Sequence, residues 1–153
     1  TLDEFKSRLI PFLDTLGLDY KQKNNTNEII SAMRSSKPNL LGVAHDLIPY
    51  FSELNSYDEI AANKFLIGSE AVLEFVQRKL NGIEEWNENS IDNFLKEAQK
   101  ALNLPTPRLN QPIRIAMTGS TQSPSLGLTL SLFSREEVDH RINEALKYLV
   151  NLN

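Results

Sequence analysis

Three Ser/Thr-x-x-Glu tetrads punctuate this chain: Thr1 with Glu4, Ser56 with Glu59, and Ser134 with Glu137. Each has the pattern of a capping box, in which a hydroxyl and a carboxylate satisfy backbone N–H groups that the first helical turn leaves orphaned. Behind the first box, Phe5, Leu9, Phe12 and Leu13 share one helical face. Behind the last, Val138, Ile142, Leu146 and Leu149 recur every three or four residues, the period of an amphipathic helix. The spacing between them predicts further helices near 26–34, 39–52, 57–65, 69–80, 90–101, 111–117 and 124–133. No period-2 alternation flanks a two-residue turn, so strands have little support. Ile113-Arg-Ile-Ala-Met also reads as a strand, and that is the weaker reading. The expected fold class is all-α, a compact helical domain built of two small helical subdomains.

Punctuation suggests where they divide. Asn81 and Gly82 follow an apolar-periodic run, and Gly82 has the position of a helix C-terminal cap. This gives subdomains 1–82 and 83–153. Pro105 and Pro107 mark a second break, because proline is excluded from helix interiors. Trp86 is expected to pack between the subdomains rather than to serve as an exposed stacking platform.

Several chemistries are excluded. The chain has no cysteine, hence no disulfide, thiolate metal ligand or cysteine nucleophile. It has no Gly-rich phosphate loop, no Gly-Lys-Ser/Thr and no His-Glu-x-x-His. Gly119, Ser120 and Ser123 lack a nucleophile context. His45, next to Asp46, reads as a polar helix histidine, and His140, between Asp139 and Arg141, as part of a solvated helix face. Glu84-Glu85 and Glu136-Glu137 are sequence neighbours, which do not face each other on a helix. No catalytic site and no metal site is expected. No apolar run approaches the roughly 20 residues of a membrane span. The chain opens on Thr1 and two acids without a basic leader, and it is expected to be a piece of a longer protein.

Charge is unevenly spread. The net charge is −4, yet residues 98–135 contain no Asp or Glu. Lys100, Arg108, Arg114 and Arg135 are the charged side chains of that window. An acidic chain is no general nucleic-acid coat, so any polyanion is expected to be received here. Arg108, beside two prolines, Lys100 and Arg135 are the candidate phosphate contacts. Arg114, flanked by Ile113 and Ile115, has two readings, an internal partner or a phosphate, and the internal one is preferred.

The same window carries a family resemblance. Gln111-Pro-Ile-Arg-Ile-Ala-Met-Thr-Gly-Ser, then Ser123-Pro-Ser-Leu, an apolar run and a helix opening Ser134-Arg-Glu-Glu resemble the C-terminal anticodon-binding domain of bacterial glutamyl-tRNA synthetases. Arg141-Ile142 stands at that family's Arg-Leu step, Trp86-Asn-Glu is similar to its Trp-containing segment, and residues 40–51 to its helix with an aromatic end. The resemblance implies an all-helical module gripping an anticodon loop. The implied partner is tRNA(Glu), and in non-discriminating members also tRNA(Gln). It also implies a cytoplasmic, monomeric class I parent whose ATP, Mg and glutamate sites lie in a separate catalytic domain, with no cofactor in this region.

Family position then assigns Ser123, Pro124, Ser125 and Leu126 to the stretch that touches anticodon bases. Ser123 followed by Pro124 reads as an N-cap with proline at the first helical position, a helix start offering N–H donors. A second reader, a family arginine that reads the third anticodon base, has Ser36 in its place, within Ser36-Lys37-Pro38-Asn39-Leu40. Serine lacks the guanidinium fork; Arg34 and Lys37 are the nearby cations. The rival reading is an all-helical protein-interaction domain without RNA binding, which the acidic overall charge also suits.

Overall fold

The computed structural model describes residues 1–152. These are helical with no strand among them, and the chain divides into two compact units, Thr1–Glu53 and Leu54–Asn153.

The first unit holds α1 (Leu2–Thr15), α2 (Thr26–Met33) and α3 (Leu40–Phe51), with α1 and α2 both packed on α3. The Thr1–Glu4 capping box forms as expected. At its other end α1 closes in a Schellman motif: the Leu18 N–H bonds the Leu13 carbonyl and the Gly17 N–H that of Asp14, both at 3.0 Å. Gly17 takes φ +69° to do so, a conformation cheap for glycine alone. Leu9, Leu13, Ile29, Ile30, Val43 and Leu47 form the centre of this unit's core. Asn39 caps α3, its side-chain oxygen accepting the Gly42 N–H at 2.7 Å.

The second unit holds α4 (Glu59–Ala61), a π-helical turn (Ala62–Leu66), α5 (Glu70–Lys79), a 3₁₀ turn (Leu80–Gly82), α6 (Glu88–Leu102), α7 (Thr106–Thr118), α8 (Leu126–Ser131) and α9 (Arg135–Asn151). α9 begins with the expected Ser134–Glu137 box. The box expected at Ser56 is replaced: Asp58 caps α4 and accepts the Ala61 N–H at 2.9 Å. The helix expected near 57–65 starts later and widens after one turn, where the Ile67 N–H reaches back to the Ala62 carbonyl, the longer bond of a π turn.

Two proline expectations change. Pro107 occupies the first turn of α7, where a missing N–H costs nothing, so α7 starts at Thr106 rather than near 111. Pro112 lies mid-helix and buried, leaving the Arg108 carbonyl without its helical donor. The helical reading of 113–117 holds. Gly82 takes no left-handed φ and closes the 3₁₀ turn instead of capping α5. The turn at Asn81 and Gly82 lies inside the second unit, because α5 and the 3₁₀ turn both pack on α9. Ile91, Leu109, Ile113, Val138 and Ile142 are all fully buried in this unit's core.

Candidate nucleic-acid interface

The segment joining α7 to α8 is fixed from below. α7 ends at Gly119, whose φ is +81°. Its N–H bonds the Ile115 carbonyl at 2.8 Å, and its own carbonyl accepts the Asp58 N–H at 2.7 Å. A Cβ here would lie 3.0 Å from the Ser56 carbonyl oxygen and 3.1 Å from Leu54, so conformation and space both demand glycine. Arg114 takes the internal role. Its Nε donates to Ser123 Oγ at 2.7 Å, Nη1 to Gln111 Oε1 at 2.9 Å and Nη2 to the Pro124 carbonyl at 3.5 Å. Fully buried Thr129 donates toward the same Pro124 carbonyl at 3.1 Å.

These bonds correct the expected cap. The Pro124 carbonyl is turned back onto Arg114 and Thr129, so residue 124 does not open the helix. α8 begins two residues later, with Ser125 at the N-cap position and no side-chain cap bond. Ser123 and Pro124 are half-buried, Ser125 is exposed, and Leu126 is only 3% exposed. Of the four residues expected to touch bases, Ser125 therefore has the most accessible side chain.

Beside this segment lies a cavity of about 400 Å³ between α6, α7 and the start of α8. Asp92 and Lys96 border it from α6, Asn110 and Arg114 from α7, and Ser125 and Leu126 from α8. The close approach of α8 to α6 depends on Gly127, where a Cβ would fall 1.9 Å from Asp92 Oδ1 and 3.2 Å from the Glu88 carbonyl. The 98–135 window is acid-free in sequence, but folding sets the Asp92 carboxylate against its helix start. Lys96 and Arg114 border the same cavity, so its lining carries both signs of charge.

The expected phosphate contacts separate by burial. Arg135 is engaged internally: Nη2 donates to the Glu84 carbonyl at 2.8 Å, Nη1 to that of Leu80 at 3.4 Å, and the guanidinium lies 5.2 Å from the Trp86 ring centroid. Trp86 itself donates to the Phe133 carbonyl at 2.7 Å, so it is a packing residue as expected, though within one unit. Lys100 is exposed on the last turn of α6. Exposed Arg108 meets two residues that sequence reasoning missed. Its Nη1 donates to the Lys64 carbonyl at 3.3 Å, and both its guanidinium and Lys64 Nζ flank the Phe65 ring, at 5.9 and 5.2 Å from the centroid. Adjacent Lys64 and Phe65 were a sequence signal for a cation beside an aromatic; their meeting with Arg108, 44 residues on, was not legible. Arg141, expected on a solvated face with His140, is instead buried, donating to the Met117 carbonyl and covering the Phe133 ring at 4.8 Å. A cation is favourable at the carbonyl end of a helix.

In the first unit the expected second reader occupies the turn between α2 and α3. Arg34, Ser36 and Lys37 are all exposed. Arg34 stacks on Phe5 at 5.1 Å, Lys37 pairs with Asp46 at 2.8 Å, and the Ser36 N–H bonds the Met33 carbonyl at 3.0 Å. Among the described residues no group of His, Asp and Glu could hold a metal ion, and no helix is long and apolar enough to cross a membrane.

A family model described as an anticodon binding domain matches residues 4–146. The chain belongs to that family. Among relatives of this anticodon-binding-domain chain, a glutamate–tRNA ligase of Myxococcus xanthus is 33% identical over 141 residues, covering 91% of this chain and 29% of the relative. A glutamate–tRNA ligase of Halorhodospira halophila is 29% identical over 140 residues, covering 91% and 30%. In fold, the domain matches a crystal structure of a glutamate tRNA ligase from Elizabethkingia meningosepticum with a TM-score of 0.84 at 16% identity, over 97% of this chain and 30% of that one. The chain spans about 30% of the length of the curated relatives it matches.

Proposed function

We propose that this domain recognises the anticodon of tRNA within a glutamate–tRNA ligase and performs no chemistry itself. The observation that carries the reading is the family match over residues 4–146, within which Ser125 and Leu126 line a cavity of about 400 Å³. Bases of a loop, unlike those of a duplex, offer their Watson–Crick edges and faces to such a site. Exposed Arg108, Lys64 and Lys100 then supply the phosphate contacts. The parent attaches glutamate to tRNA(Glu), using ATP and Mg in a catalytic domain outside this chain, and acts as a cytoplasmic monomer. Fluorescence anisotropy with labelled tRNA(Glu) and an anticodon-swapped control tests the reading. The swap is expected to weaken binding on the order of tenfold, and affinity is expected to fall steeply between about 50 and 200 mM salt. Equal, negligible binding of both RNAs sinks it.

The parent also charges tRNA(Gln) with glutamate in this reading. Ser36 supplies no fork for the third anticodon base, while Arg34 and Lys37 are held by Phe5 and Asp46. Aminoacylation of both transcripts by the full-length enzyme decides this, and rejection of tRNA(Gln) at catalytic concentrations overturns it.

A further inference from the structure

α6 also borders a second cavity, of about 550 Å³, together with α5 and the 3₁₀ turn. Its contribution is Ser90, Asn93, Phe94, Glu97, Ala98 and Ala101, none of which lines the cavity beside α8. Their i, i+3, i+4, i+7 spacing marks one helix face, about 16 Å long. Phe75 and Lys79 border it from α5, and Gly82, Ile83 and Glu84 from the turn. Ile83 and Ala98 are buried, Phe75 and Phe94 half-buried, and Glu84, Asn93, Glu97 and Ala101 exposed. The cavity is therefore an open groove, suited to one face of an elongated partner, whereas small-molecule sites enclose most of their ligand.

The local charge narrows the partner. Residues 70–97 hold seven acids and three bases, a difference of −4 that equals the net charge of the whole chain. The surplus of acid is thus concentrated around this groove. Among the described residues the Glu84 and Glu97 carboxylates pair with no cation, and Lys79 with no carboxylate. Two half-buried phenylalanines inside an acidic segment complement a helix with apolar anchors and basic flanks. Single-stranded RNA, which needs a groove of cations, is the poorer match.

We propose that this groove docks a basic amphipathic helix of a protein partner. Its apolar residues, at i, i+3 or i+4 and i+7, lie against Phe75, Ile83 and Phe94, and its lysines or arginines face Glu84 and Glu97. The surface is separate from the segments assigned to the anticodon, and the proposal stands whether or not that assignment does.

The probe is a labelled peptide of leucine and lysine, about 14 residues or about 21 Å of helix, with leucine at that spacing. Its counterpart carries glutamate in place of lysine. Fluorescence anisotropy with this chain is expected to show saturable binding of the leucine–lysine peptide and binding at least roughly tenfold weaker for the counterpart. A Cβ at Gly82 meets nothing within 4 Å, so Gly82→Trp has room to fill one end of the groove. Gly82→Trp and Glu97→Lys are each expected to weaken the peptide roughly fivefold or more. Glu28→Lys, on exposed surface of α2, makes the same charge change outside the groove and is expected to stay within about twofold. Equal losses in Glu97→Lys and Glu28→Lys would mean diffuse attraction to an acidic protein and overturn the proposal. Equal binding of the two peptides, or none of either, also overturns it. Labelled tRNA(Glu) should bind Gly82→Trp as it binds the wild type; loss of RNA instead of peptide makes RNA the occupant and overturns it. Binding by this chain but not by the full-length parent assigns the groove to another part of the parent, which overturns a separate partner.

Discussion

The two segments expected to meet the anticodon, 34–37 and 123–126, are built on opposite principles. The first is an exposed turn whose cations are occupied by exposed or half-exposed neighbours, Arg34 by Phe5 and Lys37 by Asp46. Such surface pairs contribute little and exchange readily for another partner. The second is a loop fastened by a half-buried arginine fork, a fully buried threonine and a glycine-dependent helix contact. Its shape is set before any ligand arrives, so ligand affinity is not spent on ordering it. One segment offers cations that can be released; the other offers a fixed surface.

The largest expected effect comes from closing the gap between α6 and α8. Gly127→Ala would put a methyl on top of Asp92 and is expected to cost roughly 1–3 kcal/mol. Hydrogen exchange should quicken in α8 and the facing turn of α6 while α1 to α3 keep their protection. Unchanged protection in α8 would mean that the fixed surface is not fixed by this contact.

Next is Arg114→Lys, which keeps the charge but loses the fork. The loss of its bonds to Ser123 and Gln111 is expected to cost about 1–2 kcal/mol and to weaken RNA binding with no change in salt dependence. With Arg114→Gln, which removes the charge as well, a salt slope smaller by about one would instead make Arg114 a phosphate contact and break the comparison.

Alkaline pH separates the two units. Burial first, then the nearby Glu144 charge and Tyr148, push the Tyr57 phenol up to about 12, with Arg141 opposing. The folded group thus holds its proton above the ordinary value of 10.0. Between about pH 10 and 12 the unfolded chain loses that proton first, so this contribution to stability is intact below pH 10 and declines as pH rises. Alkaline melting of Tyr57→Phe should lack that decline, whereas α1 to α3, which do not contain Tyr57, should respond alike in both proteins.

The smallest effect belongs to the open turn. Lys37→Ala removes a pair whose lysine is 44% and whose aspartate is 24% exposed, and is expected to shift stability by less than about 0.5 kcal/mol. A loss several times larger, read by denaturant unfolding, would show that the turn between α2 and α3 is as firmly built as the 123–126 loop.

Helix content and most helix starts were legible in the sequence, because they follow from local rules. The capping boxes at Thr1 and Ser134 form, Asn39 caps α3, and the 3.6-residue periodicity of α1 and α9 faces their cores. Local rules failed where a distant group competed. Ser123 looked like a cap, but Arg114 and Thr129 claim it and the carbonyl of Pro124. Ser56 looked like a box, but Asp58 lies closer to the N–H groups of α4. Arg141 looked solvated because its neighbours are, and a one-residue rotation on the helix turned it inward.

By itself, the sequence determined an all-helical chain, an acid-free window and a family motif inside it. Tertiary structure decided which side chains surround that window. It brought Asp92 from outside the window to the start of α8 and placed Arg108 with Lys64 around Phe65. Capping and periodicity act over three or four residues and are written locally, whereas a site's charge is the sum of whatever folding brings within a few ångströms, and that sum has no local spelling.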